Sequence, residues 1–225
     1  AQFTGKDVDG GYAQYTVVSE DFAHPIPERL TDYEAAPLLC AGVIGYRALR
    51  FTGLKNGQVL GLYGFGSSAH IVIQIARHKY PGSKIFVFTR SRDHRDLAKQ
   101  LGAHWTGRAE DDPPEKVSCA IDFTPVGETV LEALRVLDKG GRLIINAIRK
   151  VNPIPELDYK YIWGEKEIRS VANVTRKDAG DFLPLAAGIP IIPKIQLFKL
   201  EEANEALILL KHGMIQAAAV LQIPE

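Results

Sequence analysis

Short apolar runs alternate with amphipathic stretches through the middle of the chain. The apolar runs have the length of β-strands, are rich in Val, Ile, Leu and Phe, and lie at residues 59–63, 84–89, 117–123 and 142–148. The amphipathic stretches are predicted helices, at residues 70–77, 91–101 and 128–138. Strands that are apolar throughout must be covered on both faces, so this alternation predicts a parallel sheet between two layers of helices. A last strand of the sheet is predicted at 168–174.

The beginning of the chain has a different pattern. Residues 12–18 carry β-branched and aromatic side chains after a turn at Asp9-Gly10-Gly11, which predicts a strand. The sequence from Thr31 to Glu34 is typical of a capping box that begins a short helix, and a second helix is predicted at 41–51.

The last fifty residues also depart from the central repeat. A helix at 178–187 is followed by an extended segment with two prolines at 189–198. An amphipathic helix at 201–211 and a short strand at 218–223 end the chain. Because this pattern resembles the opening segment more than the central repeat, we expect both ends of the chain to share a second domain.

The first strand of the central repeat leads directly into a glycine-rich turn and a helix. Gly64 allows the tight turn, Gly66 has no side chain to keep a pyrophosphate from the backbone, and Ala69 lets the helix pack close to the sheet. Ser67 and Ser68 fall in the first helical turn, where unpaired N–H groups favour an anion. The segment therefore predicts a dinucleotide site, with an ordinary glycine turn as the alternative.

The second strand of the repeat ends without a carboxylate. An NAD site usually has Asp or Glu about 20 residues beyond the glycines, where it binds the ribose 2′-hydroxyl. Here the strand ends at Thr89, and Arg90, Ser91 and Arg92 follow, which suit a 2′-phosphate. His94 is near enough in sequence to contact the phosphate or the ribose. These residues favour NADP; the alternative is a solvated arginine loop beside a site that binds NAD.

Charge and composition exclude several classes of partner. The 225 residues include 27 basic and 27 acidic side chains, so there is no electrostatic footprint for nucleic acid or for an acidic membrane surface. The apolar runs are far shorter than the about 18 residues of a membrane span, and the first residues have no signal-peptide pattern. We therefore expect a soluble, cytoplasmic protein. The two cysteines, Cys40 and Cys119, are far apart and predict neither a disulfide framework nor a self-contained zinc module.

Four segments carry a resemblance to a known family, and they lie at residues 9–15 (DGGYAQY), 35–42 (AAPLLCAG), 64–70 (GFGSSAH) and 137–143 (LDKGGRL). Through them the whole chain resembles the zinc-dependent alcohol dehydrogenases of the medium-chain dehydrogenase/reductase superfamily. The resemblance implies an α/β fold: a Rossmann doubly wound parallel sheet, with remnants of a β-rich GroES-like catalytic domain at both chain ends. It also implies that the chain has three parts. Residues 1–39 are a remnant of the β-rich catalytic domain, residues 40–174 are the dinucleotide-binding Rossmann domain, and residues 175–225 are a C-terminal segment that returns to the catalytic domain.

The resemblance also places Cys40 on a catalytic zinc ion. The alternative for Cys40 is a small buried apolar residue. Members of the family carry further zinc ligands and a proton-relay hydroxyl in a part that precedes the segment seen here, and a catalytic zinc needs about three protein ligands. We therefore expect this chain to be the C-terminal portion of a longer enzyme, to be inactive alone, and to contain no catalytic residue beyond the zinc ligand.

The reaction implied by the resemblance is hydride transfer between a nicotinamide cofactor and a small alcohol, aldehyde or ketone, with zinc in the full-length enzyme. The predicted cofactor-binding residues are Gly64, Phe65, Gly66, Ser67, Ser68, Thr89, Arg90, Ser91, His94, Thr124, Pro125, Val126, Asn146, Ala147 and Ile148. The strand at 168–174 is a predicted sheet edge that pairs across a two-fold axis in the family, which implies a homodimer or homotetramer. The alternatives are a zinc-independent quinone or enoyl reductase of the same superfamily and a non-catalytic NADP-binding fragment.

Overall fold

A six-stranded parallel sheet forms the centre of the computed structural model, which describes residues 3–224. Its strands are β1 (Val59–Tyr63), β2 (Lys84–Phe88), β3 (Trp105–Gly107), β4 (Val117–Asp122), β5 (Leu137–Ile145) and β6 (Glu167–Ser170). They lie in the order β3-β2-β1-β4-β5-β6, and every pair is parallel. This order, which reverses between β1 and β4, is that of a Rossmann sheet, so the predicted doubly wound parallel α/β fold is confirmed. The β-rich remnants of a catalytic domain at the two chain ends stay a prediction.

Helices cover both faces of the sheet, as the apolar strands require. The helices are α1 (Asp32–Pro37), α2 (Val43–Thr52), α3 (Ser67–Lys79), α4 (Arg92–Gln100), α5 (Glu128–Val136), α6 (Arg176–Gly188) and α7 (Ala203–Lys211). One cluster of buried side chains lies between the sheet and α2, α3, α4 and α6, and a second lies between the sheet and α5. No helix within residues 3–224 is long and apolar enough to cross a membrane.

Most of the predicted elements are present with boundaries shifted by a few residues. The capping box is confirmed, because the Thr31 hydroxyl accepts from the Glu34 N–H at 3.3 Å and the Glu34 carboxylate accepts from the Thr31 N–H at 2.9 Å. β6 forms the edge of the sheet, as predicted. The short strand β3 was not predicted, because three residues are too few to show a period.

The helix predicted at 128–138 extends too far, and the glycine pair Gly140-Gly141 lies within a strand. α5 ends at Val136, and β5 begins at Leu137 and continues through the glycine pair. The pairing of β4 with β5 steps from Val117↔Leu137 to Cys119↔Arg142, so extra residues of β5 bulge out of register. Gly140, with φ of +66°, lies within this bulge.

The predicted strand at 12–18 is also wrong. This segment is irregular, and the side chains of Tyr15 and Val17 are 91% and 92% exposed. The nearest strand-like pairing is an isolated bridge between Thr4 and Val8. A β-strand needs a partner for its backbone N–H and C=O groups, and no segment of residues 3–224 pairs with 12–18.

The C-terminal part contains a second, two-stranded parallel sheet. Its strands, β7 (Ile195–Lys199) and β8 (Ala218–Gln222), lie within the predicted extended segment and the predicted final strand. α6 packs against α2, where the buried Asp178 carboxylate accepts hydrogen bonds from Arg47 and Arg50.

The division of the chain at residues 39/40 and 174/175 stays a prediction.

Candidate functional site

The carboxyl ends of five strands meet along one edge of the central sheet. Tyr63 of β1 pairs with Phe88 of β2 and with Asp122 of β4, and Asp122 pairs with Ile145 of β5, which pairs with Ser170 of β6. All the predicted cofactor-binding residues follow one of the strands β1, β2, β4 and β5. The fold therefore brings four segments that are far apart in sequence to the edge where open α/β sheets bind ligands.

The two glycines of the turn after β1 have different surroundings. Gly64 has φ of +80°, and a Cβ atom there would lie 3.0 Å from Cγ2 of Thr124. Its amide donates to the Phe88 carbonyl at 2.8 Å, which fixes the turn to β2. A Cβ atom at Gly66 would meet nothing within 4 Å. Gly64 is thus required by the fold, whereas Gly66 leaves open space beside the backbone.

The turn leads into the N-terminus of α3. Gly66 is the N-cap residue without a side-chain cap, and the His70 amide makes the first bond of the helix, to the Gly66 carbonyl at 3.2 Å. The N–H groups of Ser67, Ser68 and Ala69 come before that bond and have no intrahelical acceptor. Together with the helix dipole and the open space at Gly66, they form a cradle that suits an anionic pyrophosphate.

Phe65 differs from its neighbours in the turn. Its side chain is 1% exposed and packs in the core cluster beneath α3, so only its backbone faces the predicted site. Small residues let α3 pack closely against its neighbours, among them α2. Ala69 is fully buried, and a Cβ atom at Gly45 of α2 would lie 2.5 Å from Cγ2 of Val72.

The loop after β2 is held by an arginine that sequence reasoning did not single out. The Arg95 guanidinium donates to the carbonyls of Thr89 and Arg90 at 2.8 and 2.9 Å. The Ser91 hydroxyl caps α4 by accepting from the His94 amide at 3.3 Å. Arg90 and Arg92 are exposed. The loop therefore offers two exposed guanidinium groups on a backbone that Arg95 fixes.

Three histidines are involved in packing: His70 and His94 lie near this edge, and His104 lies at the amino ends of β2 and β3. Burial lowers the pKa of His94, and the backbone of Gln216 is its hydrogen-bond partner. The His104 ring accepts from the Ile85 amide at 3.0 Å, and burial lowers the pKa of His104 as well. His70 is fully buried, with Nδ1 beside the Gly66 carbonyl at 3.3 Å and Nε2 accepting from the Lys194 amide at 3.2 Å.

The segments after β4 and β5 form the other half of the edge. Thr124, Pro125 and Val126 follow β4, and the residues 146–148 follow β5. The Asn146 amide donates to the Asp122 carbonyl at 2.8 Å, so the pairing of the two strands continues to the point where the segments begin. Ile148 is fully exposed. The Asn146 side chain carries a buried amide nitrogen for which the described residues offer no acceptor.

Cys40 lies in a π-helical turn, Leu38–Gly42, which joins α1 to α2 and packs against α3. It is exposed, so the alternative that treated it as a buried apolar residue is wrong. Residues 3–224 contain no cluster of three or more His, Cys, Asp or Glu side chains arranged to hold a metal ion. A catalytic zinc needs about three protein ligands, so the residues described here do not form such a site by themselves. Cys40 as a zinc ligand stays a prediction.

Cys119 has a different environment in the middle of β4. It is buried, and burial raises the pKa of its thiol to about 12. The thiol is therefore protonated at neutral pH and belongs to the core.

The chain is similar over its whole length to known alcohol dehydrogenases, although no family model matches it. It is 47% identical over 224 residues to a probable alcohol dehydrogenase, AdhA, of Mycobacterium tuberculosis, covering 99% of this chain. It is 33% identical over 231 residues to an alcohol dehydrogenase of Geobacillus stearothermophilus, again covering 99% of this chain. The chain spans 64% of the length of the first relative and 67% of the second.

Solved structures show the same fold. Acetophenone reductase of Geotrichum candidum, in complex with NAD, superposes with a TM-score of 0.86 over 95% of this chain and 63% of that one, at 21% identity. CAD of Helicobacter pylori, complexed with NADP(H), superposes with a TM-score of 0.76 over 84% of this chain and 55% of that one, at 22% identity. With the sequence relatives and the sheet order, this likeness leads to one conclusion: the chain belongs to the alcohol dehydrogenase family of the medium-chain dehydrogenase/reductase superfamily.

Proposed function

We propose that this chain carries the cofactor-binding part of a nicotinamide-dependent alcohol dehydrogenase, which transfers hydride between the cofactor and a small alcohol, aldehyde or ketone. The observation that carries the proposal is the open space at Gly66 beside the free N–H groups of α3, at the point where the strand order reverses. The names of the relatives, and the NAD and NADP(H) in two structures of the same fold, support it.

Each segment of the edge has a part in this proposal. The N–H groups of Ser67, Ser68 and Ala69 bind the pyrophosphate, which places the adenosine half over β2 and the nicotinamide half over β4 and β5. The nicotinamide, when bound, supplies the hydride acceptor or donor. The residues 124–126 and 146–148 orient the nicotinamide half through their backbone and keep water from it.

We propose that NADP is the preferred cofactor. The loop after β2 has no carboxylate before the exposed Asp93 to repel a 2′-phosphate, and it offers the guanidinium groups of Arg90 and Arg92. Arg95 supports this by holding the carbonyls of Thr89 and Arg90, which keeps the loop in one geometry. The alternative, in which the arginines form a solvated loop and the site binds NAD, predicts that removal of an arginine leaves the affinity for NADP unchanged.

Titration of the chain with NADPH and NADH, followed by fluorescence, tests this preference. We expect tighter binding of NADPH. For Arg90→Ala we expect NADPH affinity to fall about tenfold or more, with little change for NADH, since one charge-assisted contact is worth about 1.5–3 kcal/mol. Arg176→Ala on α6, which removes an exposed arginine paired with Asp21, is the matched control. Tighter binding of NADH, or an unchanged NADPH affinity in Arg90→Ala, would contradict the proposal.

A separate proposal concerns zinc: in the complete enzyme, Cys40 is one ligand of a catalytic zinc ion. Its support is the resemblance of the segment around Cys40 and the exposure of the thiol. A zinc-independent quinone or enoyl reductase would need no ligand here, and metal analysis of the complete enzyme with and without Cys40→Ser decides between them. Alcohol-dependent reduction of NADP by the 225-residue chain alone would contradict its assignment as an inactive fragment and as a non-catalytic module.

We further propose a homodimer or homotetramer in a cytoplasmic protein. The support for assembly is β6, whose four residues are all exposed and which forms an unpaired edge of the sheet within the described chain. Sedimentation of the complete enzyme tests the oligomeric state, and cell fractionation tests the location. The three-part division at 1–39, 40–174 and 175–225 is proposed on the resemblance.

A further inference from the structure

A lysine with little solvent exposure contacts the segment 124–126 on the nicotinamide side of the edge. Lys150 follows the segment 146–148, and its side chain is 13% exposed. Its Nζ donates to Oδ2 of Asp122 at 2.5 Å, to the Thr124 carbonyl at 2.8 Å and to the Val126 carbonyl at 3.1 Å. An ammonium group has three N–H donors, so all three are used within the chain.

Asp122, the partner of this lysine, is the last residue of β4 and is fully buried. Its Oδ1 accepts from the Thr124 amide at 2.8 Å and from the Thr124 hydroxyl at 2.7 Å. Its Oδ2 accepts from the Thr129 hydroxyl at 3.1 Å in addition to Lys150. A buried carboxylate is stable only when it is paired and hydrogen-bonded, and within residues 3–224 Lys150 supplies the one cation among the partners of Asp122.

The neighbours of Lys150 extend the contact with the segment that follows β4. The Val151 amide donates to the Pro125 carbonyl at 2.7 Å, so three successive carbonyls, at residues 124–126, all accept from Lys150 or Val151. The Gly127 amide donates to the Asn152 side chain at 3.2 Å. These contacts therefore tie residues 150–152, which follow the segment 146–148, to residues 124–127, and the ammonium of Lys150 lies at their centre.

We propose that Lys150 is a positioning residue for the nicotinamide half of the cofactor; this inference rests on the proposed function. A dinucleotide lies across the point where the strand order reverses, with its adenosine half over β1 and β2 and its other half over β4 and β5. Lys150 acts on the second half, because its three acceptors lie at the end of β4 and in the segment that follows. It sets the backbone at 124–126, and through the chain the backbone at 146–148.

The test compares two ligands that differ only in the nicotinamide. The chain with Lys150→Met is titrated with NADPH and with 2′-phospho-ADP-ribose, which lacks the nicotinamide. We expect NADPH affinity to fall about tenfold, while the affinity for 2′-phospho-ADP-ribose stays within about twofold. Lys160→Met is the matched control, since Lys160 is exposed and pairs with Asp158 at 2.9 Å. It is expected to leave both affinities unchanged.

A second variant separates positioning from folding. Lys150→Met leaves the Asp122 carboxylate buried without its cation, so a lower melting temperature is expected. Asp122→Asn combined with Lys150→Met removes both charges, and we expect it to recover melting temperature but to keep the NADPH deficit. If Lys150→Met lost affinity equally for both ligands, or bound NADPH within about twofold of the unaltered chain, the inference about Lys150 would be overturned while the proposed function stood. If the unaltered chain bound neither ligand, the proposed function would fall with it.

Discussion

Gly64 and Gly66 are two residues apart in the turn after β1, yet a methyl group would meet different surroundings at each. At Gly64 the backbone is left-handed and Thr124 is 3.0 Å from the added atom. At Gly66 the backbone is extended, with φ of −97° and ψ of −153°, and the space is open. The glycine pattern in the sequence predicts both positions equally, and only the surroundings separate the glycine that folding needs from the glycine that a ligand needs.

The first prediction uses this difference. Gly66→Ala is expected to leave the melting temperature nearly unchanged and to lower nucleotide affinity about tenfold or more, because its methyl group enters the space of the pyrophosphate. Gly64→Ala is expected to lower the free energy of unfolding by about 1–2 kcal/mol, because a side chain in the left-handed region is strained. Thermal melts and NADPH titrations of both variants measure this. Normal nucleotide binding by Gly66→Ala would show that the cradle is an ordinary turn.

At the scale of elements, α3 is tied to the C-terminal part as well as to the sheet. His70 accepts from the Lys194 amide, and the Gln74 side chain exchanges hydrogen bonds with the backbone of Ile192 at 3.0 and 3.3 Å. The apolar periods predicted α3 and the extended segment before β7 separately, because each is a local pattern. Their contact, which spans more than 100 residues, has no local signal. The bulge in β5 was missed for a similar reason, since its register depends on β4.

The second prediction concerns pH and the contact between His70 and Lys194. Burial lowers the pKa of His70 below its ordinary value of 6.5, so the unfolded chain binds a proton more readily than the folded chain. Stability is therefore lost as the pH falls below about 6.5, until the pH reaches the lowered pKa of the folded state. We expect His70→Gln, which keeps an acceptor for the Lys194 amide and does not titrate, to lose less stability between pH 7 and pH 5.

Urea unfolding at several pH values measures this effect. His94 and His104, whose pKa values are also lowered by burial, remain in both proteins, so the difference between the two curves isolates His70. His78→Gln, at an exposed position near the end of α3, is the matched control and is expected to follow the unaltered chain. If the free energy of unfolding changed with pH in the same way for the unaltered chain and for His70→Gln, the assignment of this loss of stability to His70 would be contradicted.

At the scale of the whole molecule, the parts of the candidate site differ in whether a local sequence pattern can predict them. The glycine turn and the arginines after β2 are adjacent to the elements that position them, and local patterns therefore predict them. Lys150 and Asp122 are 28 residues apart and meet only because β4 and β5 pair side by side. The strand predicted at 12–18 was wrong because the backbone pairing that makes a strand depends on a neighbour, and its β-branched and aromatic residues supply only the propensity.

The third prediction concerns the protection of backbone amides from hydrogen exchange, which differs between segments of the chain. In the part that the structure describes, no backbone amide of residues 12–18 donates a hydrogen bond, whereas β1 and β4 lie in the middle of the sheet. We expect 12–18 to exchange amide hydrogens without protection and β1 and β4 to exchange slowest, by global unfolding. Saturation with NADPH at 100 times its dissociation constant should stabilise the fold by about 2.7 kcal/mol and slow the exchange of β1 and β4 about 100-fold.

Hydrogen exchange followed by mass spectrometry, with and without NADPH, measures both effects in one experiment. NADPH should leave the rate at 12–18 unchanged, because this segment is open in the folded chain and gains nothing from stabilisation of the sheet. Gly66→Ala serves as the control, and its β1 and β4 exchange should respond to NADPH far less at the same concentration. Protection of 12–18 in the ligand-free chain would contradict the irregular, exposed conformation of this segment. An unchanged rate in β1 and β4 of the unaltered chain would contradict binding at the edge of the sheet.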